Sequence, residues 1–348
     1  MANTTQTHKA PLVGIVAYGL YLPEPRMTAK EVADLTKGNW TEAAVREKLG
    51  FDQKPVPGKD DGTQAMGARA GLDALKRFNY DPKKIDAILC IGEEWKEYPL
   101  TTSGIYIQEK IGATNAFALD LQQRCCSMVA AMKIAKDMLV ADEDIHSVMI
   151  VGGYRNGDFV DYSNPRMSMM YNLGAGACAV ILEKNAKKNI LLGTGLMSDG
   201  SLAWDAGCRI GGIAEPVSAA NLDAAYKSLD LMQAEHMKNR LNEVSMPNWY
   251  RCIDKALAKS HIERKDIGYL SVLHFKYSMH VEMLKSLGLN ENQTTYLRDY
   301  GHIGQIDQIL SLDLGLQAGK IKDGTHVCMI AAGIGYAWAA NIIRWGEL

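Results

Sequence analysis

The chain repeats itself, and that repetition constrains its architecture more than any other feature. His146-Ser-Val-Met-Ile-Val-Gly-Gly153 is echoed by Thr325-His-Val-Cys-Met-Ile-Ala-Ala332, an offset of 179 residues. Val13-Gly-Ile-Val-Ala-Tyr-Gly19 is echoed by Ile190-Leu-Leu-Gly-Thr-Gly195, an offset of 177. Leu72-Asp-Ala-Leu-Lys-Arg77 is echoed by Ile253-Asp-Lys-Ala-Leu-Ala258. Cys125 and His302 are also 177 apart. Two like halves that set equivalent ends against each other can bring a thiol and an imidazole together. A thiol beside imidazoles is a recurring apparatus for acyl transfer.

Short apolar runs alternate with amphipathic stretches. Residues 85–92, 147–153 and 177–182 are continuous apolar runs of strand length, suited to a sheet covered on both faces. Residues 61–78 carry apolar positions at Met66, Ala70, Leu72, Leu75 and Phe78, the spacing of a helix. Residues 127–140 are rich in Ala and Met and have no wholly charged face, which predicts a central buried helix. The second half repeats the scheme, with helices expected at 249–260 and 308–317 and strands at 270–273 and 327–332. This alternation predicts a layered α/β fold. Duplicated, it becomes helix–sheet–helix–sheet–helix, with equivalent helices of the two halves forming the middle layer. The polar stretch 184–189 separates the halves, so the expected units are 1–184 and 185–348. Residues 158–172 and 195–218 read as long loops, a length that usually signals function.

Composition excludes several classes. The chain has 348 residues, 47% of them apolar, enough for a large core and about two domains. A net charge of −2 gives no basic surface for nucleic acid. No run of about eighteen apolar residues is present to span a membrane, and Met1 to Lys9 holds no apolar segment of signal-peptide length. The seven cysteines are scattered, mostly within apolar runs, and no Cys-x-x-Cys occurs. They read as reduced thiols of a cytoplasmic protein, with no metal site and no bound cofactor expected.

Among those cysteines Cys125 is singled out by position. It opens the central helix, where free backbone N–H groups and the helix dipole favour a thiolate. The competing reading is an inert core thiol, the role assigned to its neighbour Cys126. His274 ends the apolar strand at 269–273, where α/β sheets place their sites. His280, six residues on, falls in a helix and is expected to pack or face solvent. His302 lies in the turn Arg298-Asp-Tyr-Gly-His-Ile-Gly304, before the helix equivalent to that of Cys125. Its two glycines suggest close backbone approach, and its imidazole is a candidate donor to a thioester oxygen or an enolate.

The whole chain resembles the thiolase-fold condensing enzymes, and within them the initiating type III β-ketoacyl-ACP synthases. The segments that carry the likeness are Gly14-Ile-Val-Ala-Tyr-Gly-Leu-Tyr-Leu-Pro23, Asp120-Leu followed by Cys125, Asn172-Leu-Gly-Ala-Gly-Ala177, Tyr300-Gly-His-Ile-Gly304, Gly319-Lys-Ile-Lys-Asp-Gly324 and Ala332-Gly-Ile-Gly-Tyr-Ala-Trp338. The resemblance implies the five-layered αβαβα thiolase-like fold and, by position, an acylated Cys125 assisted by His274. His302 stands where the type III enzymes have asparagine; the elongating synthases use a Cys/His/His set. The turn 332–335 matches the region whose backbone N–H joins that of Cys125 in an oxyanion hole, here assigned to Gly333. The tryptophan and arginine that grip coenzyme A in the family would fall near Ala44 and Lys48. Hydroxymethylglutaryl-CoA synthases carry a glutamate base after the strand that here precedes Glu93, Glu94 and Glu97. A solvated acidic loop is the competing reading of those three acids. Met167, Met169 and Met170 lie in the loop that borders the acyl tunnel of related enzymes. A homodimer is implied, with residues 117–121 at its interface.

The activity implied is a Claisen condensation of fatty acid or polyketide biosynthesis. Cys125 would take an acyl group from acyl-CoA or acyl-ACP and pass it to the enolate of a malonyl or acyl thioester, with an acyl carrier protein as possible partner. Three alternatives stand beside it: condensation without decarboxylation, acyl transfer to an oxygen or nitrogen acceptor, and a non-catalytic scaffold subunit of a condensing complex.

Overall fold

The computed structural model describes residues 10–348; the N-terminal stretch read above as free of a signal segment lies outside the described residues. Nine strands form one mixed sheet: β1 (Val13–Tyr21), β2 (Ala87–Cys90), β3 (Phe117–Asp120), β4 (Ser147–Tyr154), β5 (Gly176–Lys184), β6 (Lys188–Ser198), β7 (Ile267–Val272), β8 (His326–Gly333) and β9 (Ala337–Glu347). Their spatial order is β7-β8-β9-β6-β1-β5-β4-β2-β3.

The duplication is written in the pairing. From β1 outward the first half runs β1-β5-β4-β2-β3, with two antiparallel ladders and then two parallel ones. From β6 outward the second half runs β6-β9-β8-β7, antiparallel twice and then parallel. A lone parallel bridge, Leu270 to Thr294, stands where the fifth strand would be. The halves meet where Gly14 pairs with Ile190. The expected boundary at 184/185 falls at the end of β5, in the short turn before β6.

Six helices cover these strands: α1 (Thr63–Arg77), α2 (Ser103–Ile111), α3 (Ser127–Ala141), α4 (Ala234–Ser260), α5 (Tyr277–Leu287) and α6 (Asp307–Gln317). Helix α1 packs on β1, β5 and β4, and α4 takes the equivalent place on β6, β9 and β8. Helix α3 touches β4 and β5 on one side and β8 and β9 on the other, while α6 touches β1, β7 and β8. They form the middle of five layers. The largely apolar β4 (Ser-Val-Met-Ile-Val-Gly-Gly-Tyr) is buried at every position because helices lie on both faces.

Two stretches differ from the sequence reading. Helix α4 begins at Ala234, well before the expected 249, because Pro247 and a polar first half hid its periodicity. The excursion after β6 holds a short antiparallel ribbon, Ala206–Cys208 with Leu229–Leu231, and forms a wall of the cavity described below. Among the described residues no helix is long and apolar enough to cross a membrane.

Candidate active site

Cys125 sits in a single 3-10 turn, Arg124–Cys126, that feeds directly into α3. The first N–H groups of such a turn have no partner within it. Arg124, just before the cysteine, has a φ of 51°, the left-handed region that costs a non-glycine residue about 1–3 kcal/mol. Its guanidinium is tied down by Glu93 at 2.9 Å and Glu94 at 3.3 Å. Cys126 turns the other way, fully buried, and donates to the Ala337 carbonyl at 3.3 Å. Burial pushes that thiol well above the usual range, which leaves it inert.

The imidazole facing the Cys125 sulfur is that of His302, with Nε2 at 3.2 Å from Sγ. Its Nδ1 lies 2.6 Å from Oδ2 of Asp307, the first residue of α6. The carboxylate of Asp307 is fully buried and accepts two further N–H groups, from His274 at 2.8 Å and Ile303 at 2.7 Å. Burial alone would lower the His302 pKa. The Asp307 carboxylate and the Cys125 sulfur outweigh it and hold the imidazole well above its usual range. Two acceptors, a carboxylate and a sulfur, thus favour the protonated imidazole at His302.

The backbone around His302 is built by close approach. Gly301 has a φ of 63°, and a Cβ there would lie 2.4 Å from the Asn172 carbonyl oxygen. Gly304 has a φ of 57°, and a Cβ there would lie 2.5 Å from the Tyr154 ring. The His302 N–H donates to the Asn172 carbonyl at 2.9 Å, and its own carbonyl accepts from the Gly174 N–H at 2.8 Å. Residues 172–174 thus brace this histidine along its backbone.

His274 follows β7 by two residues and lines the same cavity, but its ring is already engaged. Nε2 lies 3.2 Å from the Gly50 carbonyl, which can only accept, so Nε2 carries the proton. Nδ1 then accepts from the Asn172 side-chain amide at 3.1 Å. Burial drives the His274 pKa down to about 4, so the ring is neutral near pH 7. The two histidines are electrically distinct: one is an imidazolium paired with sulfur, the other a neutral ring of fixed tautomer. His280 is buried against Phe275 and Tyr296 rather than exposed, and its pKa is likewise pushed down to about 4.

These groups open on a cavity of about 1280 Å³, lined by Cys125, His274, His302, Arg124 and a largely apolar wall that includes Trp95, Phe159 and Trp249. Of the three candidate acids, Glu93 is buried in the lining, its pKa raised by burial and partly restored by Arg124. Glu94 is exposed at the mouth. Glu97 does not reach the cavity. Its carboxylate accepts the N–H groups of Gln64 at 3.1 Å and Ala65 at 3.0 Å, satisfying the first turn of α1. Met169 and Met170 line the cavity, whereas Met167 is fully buried in the core beside it. In the 3-10 turn Pro165–Met170 a period of three puts Met167 and Met170 on one buried side and turns Met169 to a more exposed one. Gly333 lies against the nucleophile's backbone: a Cβ there would be 3.1 Å from the Cys125 nitrogen and 2.9 Å from the Gln123 carbonyl. The strand at 117–120 is the free edge of the sheet, with Phe117 and Leu119 exposed.

Sequence reasoning missed Asp307, although its place five residues after His302, at a helix start, was a usable signal. It also missed Trp40 and Lys48 as a pair. Both line the cavity, with the Lys48 ammonium 5.8 Å from the Trp40 ring centre.

Comparison with known proteins bears on the fold and the family. The family described as 3-oxoacyl-[acyl-carrier-protein (ACP)] synthase III matches residues 119–200, and its C-terminal counterpart matches 257–345. This is a thiolase-fold chain, type III ketoacyl-ACP synthase-like over both matched stretches. A β-ketoacyl-[acyl-carrier-protein] synthase III from Clostridium tetani is 25% identical over 346 residues, covering 96% of this chain and 98% of that protein. One from Synechocystis is 25% identical over 337 residues, covering 95% and 97%. Among solved structures, the synthase III of Aquifex aeolicus superposes with a TM-score of 0.81 at 18% identity, covering 96% of this chain and all (100%) of that one. OleA of Xanthomonas campestris, solved with lauric acid and lauroyl-CoA bound, superposes with a TM-score of 0.80 at 15% identity, covering 96% and 99%. These two show the shared fold.

Proposed function

We propose that this type III-like synthase condenses a Cys125-bound acyl group with a malonyl thioester. The observation that carries the reading is the buried sulfur–imidazole–carboxylate line, Cys125 to His302 to Asp307, opening on a large apolar cavity.

The Cys125 thiolate attacks an acyl thioester. Negative charge on the tetrahedral oxygen is met by the Cys125 N–H and a backbone N–H of the turn at Gly333. Losing one such donor costs on the order of 3 kcal/mol. After the first thiol leaves, a malonyl thioester enters. Its carbonyl accepts from the His302 imidazolium and from the His274 Nε2–H, which exchanges its long 3.2 Å bond to Gly50 for the substrate. Loss of CO2 leaves an enolate whose carbon attacks the acyl group. Cys125 departs as thiolate, restoring the pair with His302. Asn172 keeps the proton of His274 on Nε2, the tautomer this step needs. Trp40 and Lys48 supply the aromatic face and cation suited to the carrier of the incoming thioester, coenzyme A or a carrier protein. Glu93 stays paired with Arg124 and anchors the strained residue before the nucleophile. We further propose a homodimer formed through the 117–120 edge.

Incubation with a panel of acyl-CoAs, read by intact-protein mass spectrometry, is expected to give one acyl adduct lost in Cys125→Ala. Added malonyl thioester is expected to clear it with release of CO2. A wild-type protein that takes no acyl group, or an adduct indifferent to malonyl thioester, overturns the proposal.

A further inference from the structure

A synthase that only condenses never removes a proton from its second substrate, because decarboxylation supplies the carbanion. Its histidines need only donate hydrogen bonds. The site of this chain holds more than that. Asp307 fixes the His302 proton on Nδ1 at 2.6 Å, so a neutral His302 presents a bare Nε2 toward the reacting sulfur, 3.2 Å away. A nucleophile, an imidazole and a carboxylate in that order are the parts of an acyl-transfer triad, in which the imidazole acts as general base toward an incoming O–H. His274 Nε2 faces the Gly50 carbonyl and its Nδ1 the Asn172 amide, whereas His302 Nε2 faces the reacting sulfur itself, which makes His302 the imidazole placed to act on a hydroxyl arriving at the acyl carbon.

The change of state on acylation supports this role. Once Cys125 carries an acyl group its sulfur is no longer an anion, and one of the two charges that hold the His302 proton is gone. The imidazole can then release that proton and serve as a base in the half-reaction that follows.

The cavity has room for a second body. At about 1280 Å³ it exceeds the upper range of small-molecule pockets, roughly 1,000 Å³. Aromatic side chains from well-separated parts of the chain, Trp40, Trp95, Phe159, Trp249, Phe275 and Tyr336, line it. Its charged lining includes Lys48, Lys276 and Arg124 against Glu93 and Glu94, an excess of one positive charge. That balance disfavours a protonated amine and suits a neutral or anionic acceptor.

We propose that acyl-Cys125 has a second outlet: transfer of the acyl group to the hydroxyl of a bulky hydrophobic alcohol, with His302 as general base. The proposal rests on the acyl-enzyme of the preceding section but not on condensation. The acceptor oxygen bonds to the acyl carbon as its proton passes to His302 Nε2. The bond from that carbon to the Cys125 sulfur breaks, the ester leaves, and the sulfur departs as thiolate opposite the imidazolium. The resting ion pair is restored with no other reactant.

The test loads wild-type protein with octanoyl-CoA, removes the excess, and chases the adduct with buffer, 2-phenylethanol, 10-hydroxydecanoate or malonyl-CoA. The expected result is an octanoyl ester of at least one alcohol, with the adduct cleared at least tenfold faster than in buffer. In Asp307→Asn, checked for folding by circular dichroism, clearance by the alcohol is expected to slow at least tenfold more than clearance by malonyl-CoA. An adduct that outlasts both alcohols but is discharged by malonyl-CoA overturns this inference and leaves condensation standing. Alcohol clearance slowed no more than condensation in Asp307→Asn also overturns it. Absence of any adduct on wild-type Cys125 overturns both readings together.

Discussion

Replacing Asp307 by asparagine tests the electrostatic core of the site in one step. His274 and His302 are both buried, yet their pKa values are driven in opposite directions. His274 is driven down to about 4 by burial, while His302 is held well above the usual range because Asp307 and Cys125 face it. Removing the carboxylate charge exposes His302 to the burial that governs its neighbour. The His302 pKa is expected to move down, in the direction burial takes His274. The protonated imidazole facing the Cys125 sulfur is then disfavoured. Acylation by acyl-CoA, followed in single turnovers by mass spectrometry, is expected to fall by about two orders of magnitude. Alkylation of Cys125 by iodoacetamide is expected to need higher pH. There is a structural cost as well. The carboxylate accepts three N–H groups, from His302, His274 and Ile303, and an amide oxygen cannot serve both of its former positions. One buried donor is left unpaired, at a cost of about 1–3 kcal/mol, visible as a lower unfolding midpoint in urea. An Asp307→Asn variant that is folded, acylates within threefold of wild type and shows an unchanged alkylation profile would refute the reasoning.

Other outcomes follow from single features. Gly301→Ala places a methyl 2.4 Å from the Asn172 carbonyl at a φ of 63° and is expected to cost at least about 2 kcal/mol in urea melts while displacing His302 and abolishing acylation. Cys126→Ala, which removes an inert packing thiol, is expected to keep acylation within a few-fold of wild type, in contrast to Cys125→Ala. His274 and His280 have folded pKa values of about 4 against an ordinary 6.5, so the unfolded chain binds more protons between those values. Their contribution to stability is therefore lost as pH falls from 6.5 toward 4, and unfolding midpoints measured across that window should decline less steeply in His280→Gln. Burial lowers the Lys54 pKa from 10.5 to about 7 while its ammonium donates to Tyr162, Tyr171 and Leu173, so this group makes stability rise with pH above 7. Lys54→Met is expected to flatten that rise between pH 7 and 9.

The parts of the fold visible in the sequence were those fixed by period and repetition. Continuous apolar runs such as 147–153 identify strands buried on both faces, and the recurrence of that run near 325–332 identifies the second copy. Cys125 and His302 were legible because the repeat places them at equivalent ends, a geometric constraint that needs no coordinates. What escaped was whatever depends on side-chain direction. Glu93 and Glu97 lie on one short acidic loop, yet one is buried beside Arg124 and the other satisfies the N–H groups of α1. Nothing in five consecutive residues encodes that divergence, because each is set by a partner thirty residues or more away. The three methionines likewise differ from a uniform lining because a turn with a period of three buries Met167 and Met170 on one side and leaves Met169 exposed.

Asp307 shows why duplication matters for chemistry and not only for shape. Helices α3 and α6 are equivalent in the two halves and share the central layer, and each is entered through a 3-10 turn, Arg124–Cys126 and Gly304–Ile306. The two turns touch. In the first copy the turn carries the nucleophile; in the second it is followed at once by the carboxylate. A helix start carries unpaired N–H groups and the positive end of the dipole, and both Asp307 and Cys125 stand at one. His302 lies between these two helix starts and is the one group that both anions can hold. A proton placed there is retained by two negative charges, each stabilised by its own helix, and acylation of Cys125 removes only one of them. The duplicated frame thus gives the site two proton states separated by a covalent step. Which state meets the second substrate decides whether the imidazole donates to a carbonyl or accepts from a hydroxyl.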